Sequence, residues 1–418
     1  ELPYKEVGLT EAINRGLDRN AERLGFALSG DNIKDRFREL IEKAAQKDRA
    51  VILIDEYDKP IIDFLEVPDE VEANRSIMKS FYSVLKDRDD QIRLLLITGV
   101  SQFTHVSIFS DLNNLDNITL TTQYGGLVGI TQSELEENFS SEITELKKEN
   151  PDILAQIKDW YNGYTWNMQT WVYNPFSLLK FMSDPVFRNY WYSTGTPTFL
   201  FKLLKKMALY DIESIEMGSL ELSDLNVENP SPGALLFQTG YLTIKSISSD
   251  DDIYELGFPN REVKASFLDG LLSSYRETYP VGSIAHVAKM KTALRNGDVA
   301  EMVSQLNSLI GSIPYDHWNA GKESIFTIVT FLTFKLAGID VYTEVHSAKG
   351  RSDVLAMTDR YIYILELKLD GTAEEALQQI KDKGYLQPYV ADNRKKLAVG
   401  IAFSSEKREA SAYQVEEC

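Results

Sequence analysis

The chain holds one cysteine in 418 residues, and it is the last residue, Cys418. An internal disulfide framework and a cysteine-rich metal site are therefore excluded, and a reducing, cytoplasmic location is the default expectation. Histidine is nearly as scarce: His105, His286, His317 and His346 are scattered and offer no zinc spacing. Long hydrophobic runs are missing too. The longest, Ile325 to Ile339, is interrupted by Lys335 and is too short to span a bilayer, and the start, ELPYKEVGLTEAINRG, lacks the apolar core of a secretory signal. Positive charge is in deficit, with 44 Lys+Arg against 63 Asp+Glu and a net charge of −19. An acidic surface opposes non-specific nucleic-acid binding, which is mainly electrostatic. The deficit is uneven: residues 321–418 carry 13 Lys+Arg and 15 Asp+Glu, so the rest of the chain carries −17. No low-complexity tract or internal repeat is present, and the length implies two to four globular domains.

What is present is densest between Glu344 and Lys368, EVHSAKGRSDVLAMTDRYIYILELK. Asp353 follows a Gly-Arg-Ser turn, and Glu366 and Lys368 close the aromatic and β-branched run Tyr361 to Leu367. Such a run reads as a buried strand. Charged groups at its end need partners or a ligand. On a strand Glu366 and Lys368 share a face. With Asp353 on a neighbouring strand, two carboxylates converge beside one ammonium. Hard oxygen ligands with a cation suit metal-assisted phosphodiester cleavage. The plainer alternative is a turn-capping Asp353 and a surface ion pair on an edge strand.

The spacing Asp353-x12-Glu366-x-Lys368 resembles the core of the PD-(D/E)XK nuclease superfamily. The resemblance implies that Asp353 and Glu366, with Glu344, bind Mg2+ (or Mn2+), that Lys368 positions or activates the attacking water, and that an upstream helix adds an acid. Residues 321–336 (GKESIFTIVTFLTFKL) read as that helix, with Glu323 near its start. VYTEV (341–345) reads as the first strand and carries Glu344. TAEEALQQIKDKGY (372–385) reads as a helix with Gln379 at a polar position, and LAVGIAF (397–403) as a further strand. The order α-β-β-β-α-β is the superfamily's core order. Ser352 stands where the motif's name has Pro. Basic clusters at Lys349 with Arg351, Lys381 with Lys383, and Arg394-Lys395-Lys396 read either as a phosphate track or as solvated charge.

The N-terminal third has its own signal. VILIDEYDKP (51–60) is an apolar strand ending in Asp55-Glu56, between an amphipathic helix from Asp31 to Lys47, with Asp31 as cap, and a second helix from Val71 to Leu85. RLLLIT (93–98) is a second apolar strand. Alternating helices and apolar strands indicate a parallel sheet covered on both faces. The strand ending in Asp-Glu resembles the Walker B pattern, in which the Asp serves magnesium and the Glu the hydrolytic water, and Thr98 leads to Ser101-Gln102 where a polar sensor lies. VILIDEYDKPI, FYSVLKDRD, LLLITGVSQF and SIFSDLNNL, with IKDWYNGYTW (157–166), VYNPFSLLKFM (172–182), NYWYSTG (189–195), FQTGYLTI (237–244) and ELGFPNREVKASF (255–267), resemble a bacterial AAA-ATPase-like family with a C-terminal PD-(D/E)XK nuclease domain. The resemblance implies a nucleotide site at Asp55, Glu56 and Thr98. No G-x-x-x-x-G-K-S/T phosphate loop occurs, residue 1 is Glu, and Gln102 stands where the family tends to carry Arg. The expectation is a fragment or shortened variant that serves ATP only if a phosphate loop is supplied.

Between these ends, Thr131 with Glu134 forms a capping-box pattern and opens an aromatic-rich helical stretch to about Lys206. Its aromatics come with few cations, so packing is favoured over base stacking. Leu235 to Ser246 and Ile253 to Gly257 read as a hairpin, and Asn296-Gly297-Asp298 as a helix break.

The expected fold class is α/β multidomain: a partial P-loop ATPase parallel sheet (1–130), a helical lid (131–210), a small β or winged unit (211–265), a helical connector (266–320) and a restriction-endonuclease-like α/β domain (321–418). The expected function is Mg-dependent phosphodiester hydrolysis of nucleic acid, DNA first, without a membrane association and with oligomerisation open. The alternative is an ATPase-type regulatory protein whose nuclease-like domain binds nucleic acid or a partner without cutting.

Overall fold

The aliphatic run at Val51 and the one at Leu94 form neighbouring parallel strands, β1 (Ala50–Ile54) and β2 (Ile92–Ile97), in the register Val51↔Leu94 to Ile54↔Ile97. This computed structural model describes residues 2–65, 67–100, 107–109, 112, 114–191, 198–207, 209–223, 231–248, 252–276, 283–313, 324–347 and 350–418. They divide into two units, Glu1–Val186 with Ile212–Asn260, and Phe187–Asp211 with Arg261–Cys418. The whole is a mixed α/β structure with a C-terminal sheet. None of the described helices is long and apolar enough to cross a membrane.

In the first unit, β1 follows helix α1 (Ile33–Ala44), and helix α2 (Pro68–Asp87) lies between the two strands in sequence. The cap of α1 is Asn32 rather than Asp31: its side chain accepts the amides of Lys34 and Asp35, both at 3.0 Å. Asn32 is the residue directly before the first helical one and has extended backbone, the cap geometry. Helix α2 starts three residues before the expected Val71, because Pro68 supplies a φ pre-set for a first turn. The expected cover on both faces of the strands is not met among the described residues. Val51, Leu53 and Leu94 are 56 %, 68 % and 51 % exposed, while Ile52 and Leu95 on the other face are half-buried.

The capping box at Thr131 forms as its sequence requires. Glu134 donates its amide to Thr131 Oγ1 at 3.3 Å, and the Glu134 carboxylate accepts the Thr131 amide at 2.8 Å. Helices Gln132–Asn138, Ser140–Glu149, Ile153–Tyr161 and Pro175–Ser183 follow, with a short antiparallel pair of β3 (Ile130–Thr131) and β4 (Val172–Tyr173). The aromatics here pack: Tyr161 and Tyr173 are fully buried, and Tyr161 meets Phe181 at 5.8 Å between ring centroids. A three-stranded antiparallel sheet then orders β5 (Ile215–Gly218), β7 (Ile253–Gly257) and β6 (Thr243–Ser248), with β7 central. The expected strand from Leu235 is instead the helix Pro232–Gln238 ahead of β6. A short, wholly buried apolar run does not distinguish the two by periodicity, and Pro232 at the helix start decides it.

In the second unit, helices Arg261–Arg276, Ser283–Asn296 and Val299–Ile310 precede a five-stranded sheet. Gly297, at φ 74°, makes the break between the last two. The sheet is built by α3 (Ser324–Leu336), β8 (Asp340–Ser347), β9 (Gly350–Met357), β10 (Tyr361–Leu369), α4 (Ala373–Lys383), β11 (Lys395–Ser404) and β12 (Glu409–Glu417). Its strand order is β12-β11-β10-β9-β8, antiparallel except for the parallel pair β10–β11. The parallel pair needs a crossover, and α4 supplies it. Helix α4 covers one face through Leu377 and Ile380, which pack with Leu355, Ile362, Ile364 and Ala398. The opposite face carries Phe403, stacked on Phe326 of α3 at 4.2 Å, and Tyr363, whose hydroxyl donates to the Leu294 carbonyl at 2.5 Å. Strand β12 was not legible beforehand: EASAYQVEE has no apolar run, and it lies on an edge with most of its length exposed.

Candidate active site

Register decides which acids meet. The β8–β9 pairs Thr343↔Val354 and Val345↔Ser352 bracket Glu344 and Asp353. The β9–β10 pairing ends at Val354↔Leu365, one step before Asp353 and Glu366. Cross-strand neighbours at one level point to one face. Glu344, Asp353 and Glu366 thus stand at one level on three adjacent strands. Where the backbone ladder stops, Asp353 takes over: its Oδ2 accepts the Leu367 amide at 2.8 Å. The side chain of Glu344, and Glu323 altogether, lie outside the described residues.

Glu366 is 2 % exposed, an unusual burial for a carboxyl group. Its Oε1 receives the Lys368 ammonium at 3.2 Å and the Gln379 amide from α4. Its Oε2 is buried with no hydrogen-bond partner. Burial first, and the neighbouring Asp353 carboxylate second, push the Glu366 carboxyl up to about 7, against the pull of Lys368. Burial of a carboxyl beside a second acid, without enough positive charge to offset it, produces this shift. Ser352, in the position of the motif's Pro, is buried on β9.

The reach of Gln379 depends on a residue that sequence reasoning passed over. Gly400 is the register partner of Glu366 on β11. A Cβ there would lie 2.3 Å from the Ala373 carbonyl oxygen and 2.6 Å from the Leu377 amide nitrogen. Only glycine lets α4 come this close. The signal was available, since a glycine inside LAVGIAF marks a close backbone approach. The ends of α4 are equally specified: Thr372 and Glu375 form a second capping box, and Gly384 closes the helix at φ 61°.

Three residues of the basic clusters are paired with acids. Lys381 meets Glu416 at 2.6 Å, Lys395 meets Glu417 at 3.0 Å and Arg394 meets Asp392 at 2.7 Å. Lys349 and the Arg351 side chain lie outside the described residues.

In the first unit, Asp55 and Thr98 sit just past the carboxyl ends of β1 and β2, and Thr98 Oγ1 donates to Asp55 Oδ1. Glu56 has φ 54° and pairs with Lys59 at 3.1 Å. The three residues expected to share a site are therefore on one sheet edge. Gln102 lies outside the described residues.

The donor set fits a hard divalent ion: two carboxylates at one level, one with an orphaned, buried oxygen. Among the described residues no group of three or more His, Cys, Asp or Glu side chains gathers to hold one. The α3-β8-β9-β10-α4-β11 order with this acid pair and Lys368 is that of a PD-(D/E)XK nuclease-like domain. Residues 321–412 match the PD-(D/E)XK nuclease superfamily, whose members generally use divalent metals such as Mg2+, and residues 3–109 match the family described as "Predicted AAA-ATPase". The chain is 36 % identical over 409 residues to an "uncharacterized protein in vnfD 5'region" of Azotobacter chroococcum mcd 1, covering 95 % of this chain and 78 % of that one. No solved structure matches. The chain belongs to the family that joins an AAA-ATPase-like domain to a C-terminal PD-(D/E)XK nuclease superfamily domain.

Proposed function

We propose that the C-terminal domain is a metal-dependent phosphodiesterase that cuts nucleic acid, DNA first. The observation that supports this most is the Asp353–Glu366 pair, with Glu366 Oε2 buried and unpartnered and its carboxyl held at about 7. In this reading Asp353 and Glu366 hold Mg2+ or Mn2+, and Glu344, level with them, completes the set. The ion, when bound, polarises a phosphoryl oxygen and acidifies water. Gln379 fixes the rotamer of Glu366 so that Oε1 is occupied and Oε2 faces the ligand. Lys368 exchanges its contact with Glu366 for the attacking water and orients it. The test is cleavage of plasmid and oligonucleotide DNA with Mg2+ by the full chain and by Asp353→Ala and Lys368→Ala. Loss of cutting in both variants, with folding intact, supports the assignment; cutting retained in either contradicts it.

The same reading assigns residues 1–130 to an ATPase-like core, 131–210 to a helical lid, 211–265 to a small β unit and 266–320 to a connector. Asp55, Glu56 and Thr98 would serve a nucleotide there when a phosphate loop is supplied. One observation favours the alternative of binding without cutting: Lys368 is engaged with Glu366 rather than with an open position. Nucleotide-responsive binding of DNA with no cleavage under any divalent metal would select that alternative.

A further inference from the structure

Among the described residues, the face of the sheet that carries the acid pair is roofed over only part of its width. Helix α4 lies over β10 and β11, and beyond its end Tyr389 packs against the Leu355 cluster. On β8, Tyr342 pairs with Leu355, which lies two residues from Asp353 on β9 and shares its face. Tyr342 is 49 % exposed, a high value for a tyrosine inside a strand. Two strand residues separate the Tyr342 level from the acid level by about 7 Å. Both tyrosines border Leu355, Tyr342 as its register partner and Tyr389 packed against its cluster. Val390, next in the chain, is 74 % exposed.

A cation borders this surface. The Lys335 ammonium lies 5.7 Å from the Tyr342 ring centroid and 5.4 Å from that of Phe331. It holds the ring from one side and brings positive charge to the open edge of the sheet. The surface is thus an aromatic shelf with an ammonium beside it, one short step from the candidate metal ligands.

Electrostatics restrict what such a shelf can bind. Lys381, Lys395 and Arg394 are paired with acids, and residues 321–418 carry a net −2. A duplex held by its phosphates needs a basic track that these residues do not make. Aromatic stacking needs no net charge, but it does need a base face exposed, as in a single strand or a frayed end.

We infer that Tyr342, flanked by Tyr389 and Lys335, is a base-stacking subsite that seats an unpaired nucleobase next to the phosphate presented to Asp353 and Glu366, so that the substrate is single-stranded nucleic acid or a single-stranded end. This rests on the phosphodiesterase reading for its position and deepens it by naming the substrate class.

The test is fluorescence anisotropy of the full chain, with Ca2+ in place of Mg2+, on a labelled short oligothymidylate, an abasic strand of the same length and a duplex. The wild type is expected to prefer oligothymidylate. Tyr342→Ala weakens it about tenfold, Tyr342→Phe leaves it unchanged, and the abasic strand binds the wild type as weakly as oligothymidylate binds Tyr342→Ala. Tyr342→Leu, which keeps strand packing but lacks the ring, covers the case in which alanine loosens the edge strand. Equal binding by wild type and both ring-deleted variants, equal binding of abasic and thymidylate strands, a preference for duplex, or no binding at all overturns the inference. Mn2+-dependent hydrolysis of methyl p-nitrophenyl phosphate by the wild type reports on the metal site alone. Tyr342-dependent binding without that hydrolysis sinks the phosphodiesterase and keeps the shelf; hydrolysis with Tyr342-independent binding does the reverse.

Discussion

Glu366 and Gly400 are register partners on adjacent parallel strands, and the missing side chain of Gly400 is what brings Gln379 within reach of Glu366. A buried acid is held by a helix, and the helix height is set by a glycine one strand away. Gly400→Ala is expected to lower stability by about 1–3 kcal/mol through overpacking, read from urea denaturation. It should also weaken divalent-ion binding, because α4 is lifted. An unchanged urea midpoint would mean that α4 is not seated by this contact.

The second prediction concerns the start of the same helix. Thr372→Ala removes the hydroxyl that accepts the Glu375 amide at 3.1 Å. The expected cost is about 1 kcal/mol, measured as a shift in the urea midpoint with no change in m-value. Thr372→Ser should restore most of it.

The third is a pH dependence, with its sign set by Glu366. The carboxyl is held at about 7 in the folded protein, against an unfolded value of 4.5. Between these values the folded state binds the extra proton. This contribution is therefore fully present below pH 4.5 and lost as pH rises through 7. Its size is about 3 kcal/mol. Stability of the metal-free protein should fall across that interval, and Glu366→Gln should flatten the fall. Added Mn2+ should stabilise more at pH 8 than at pH 5.5, because the ion requires the carboxylate. Equal pH profiles for the wild type and Glu366→Gln would remove the assignment.

The fourth concerns the amine. Lys368→Ala should reduce cleavage by about 100-fold or more while the protein stays folded, since Lys368 is partly exposed and contacts Glu366 through one oxygen. Lys368→Arg should not rescue it, because a planar fork cannot replace a compact ammonium beside Glu366.

Much of the C-terminal domain was legible because each element announces itself locally. The aromatic and β-branched run at Tyr361, the Thr372 start and the helix–strand order all appear where the residues put them. The shared face of Glu366 and Lys368 followed from strand alternation alone. What escaped depended on contacts between distant segments. The weight of Gly400 lies in its distance to Ala373, not in its neighbours. Strand β12 has no apolar pattern because most of its residues are exposed to solvent. The Leu235 run was ambiguous because a fully buried segment shows no period, and Asn32 displaced Asp31 as a cap by one residue. In the N-terminal unit the Asp55–Thr98 hydrogen bond was foreshadowed by two acid- or hydroxyl-ended strands, whereas the exposed face at Leu53 was not.

The most direct measurement is calorimetric titration of Mn2+ into the full chain and into its Glu366→Gln and Asp353→Asn variants at pH 8. The account predicts ion binding by the wild type that is lost in both variants while their folded spectra stay the same. Equal binding by all three proteins, or none by the wild type, would contradict it.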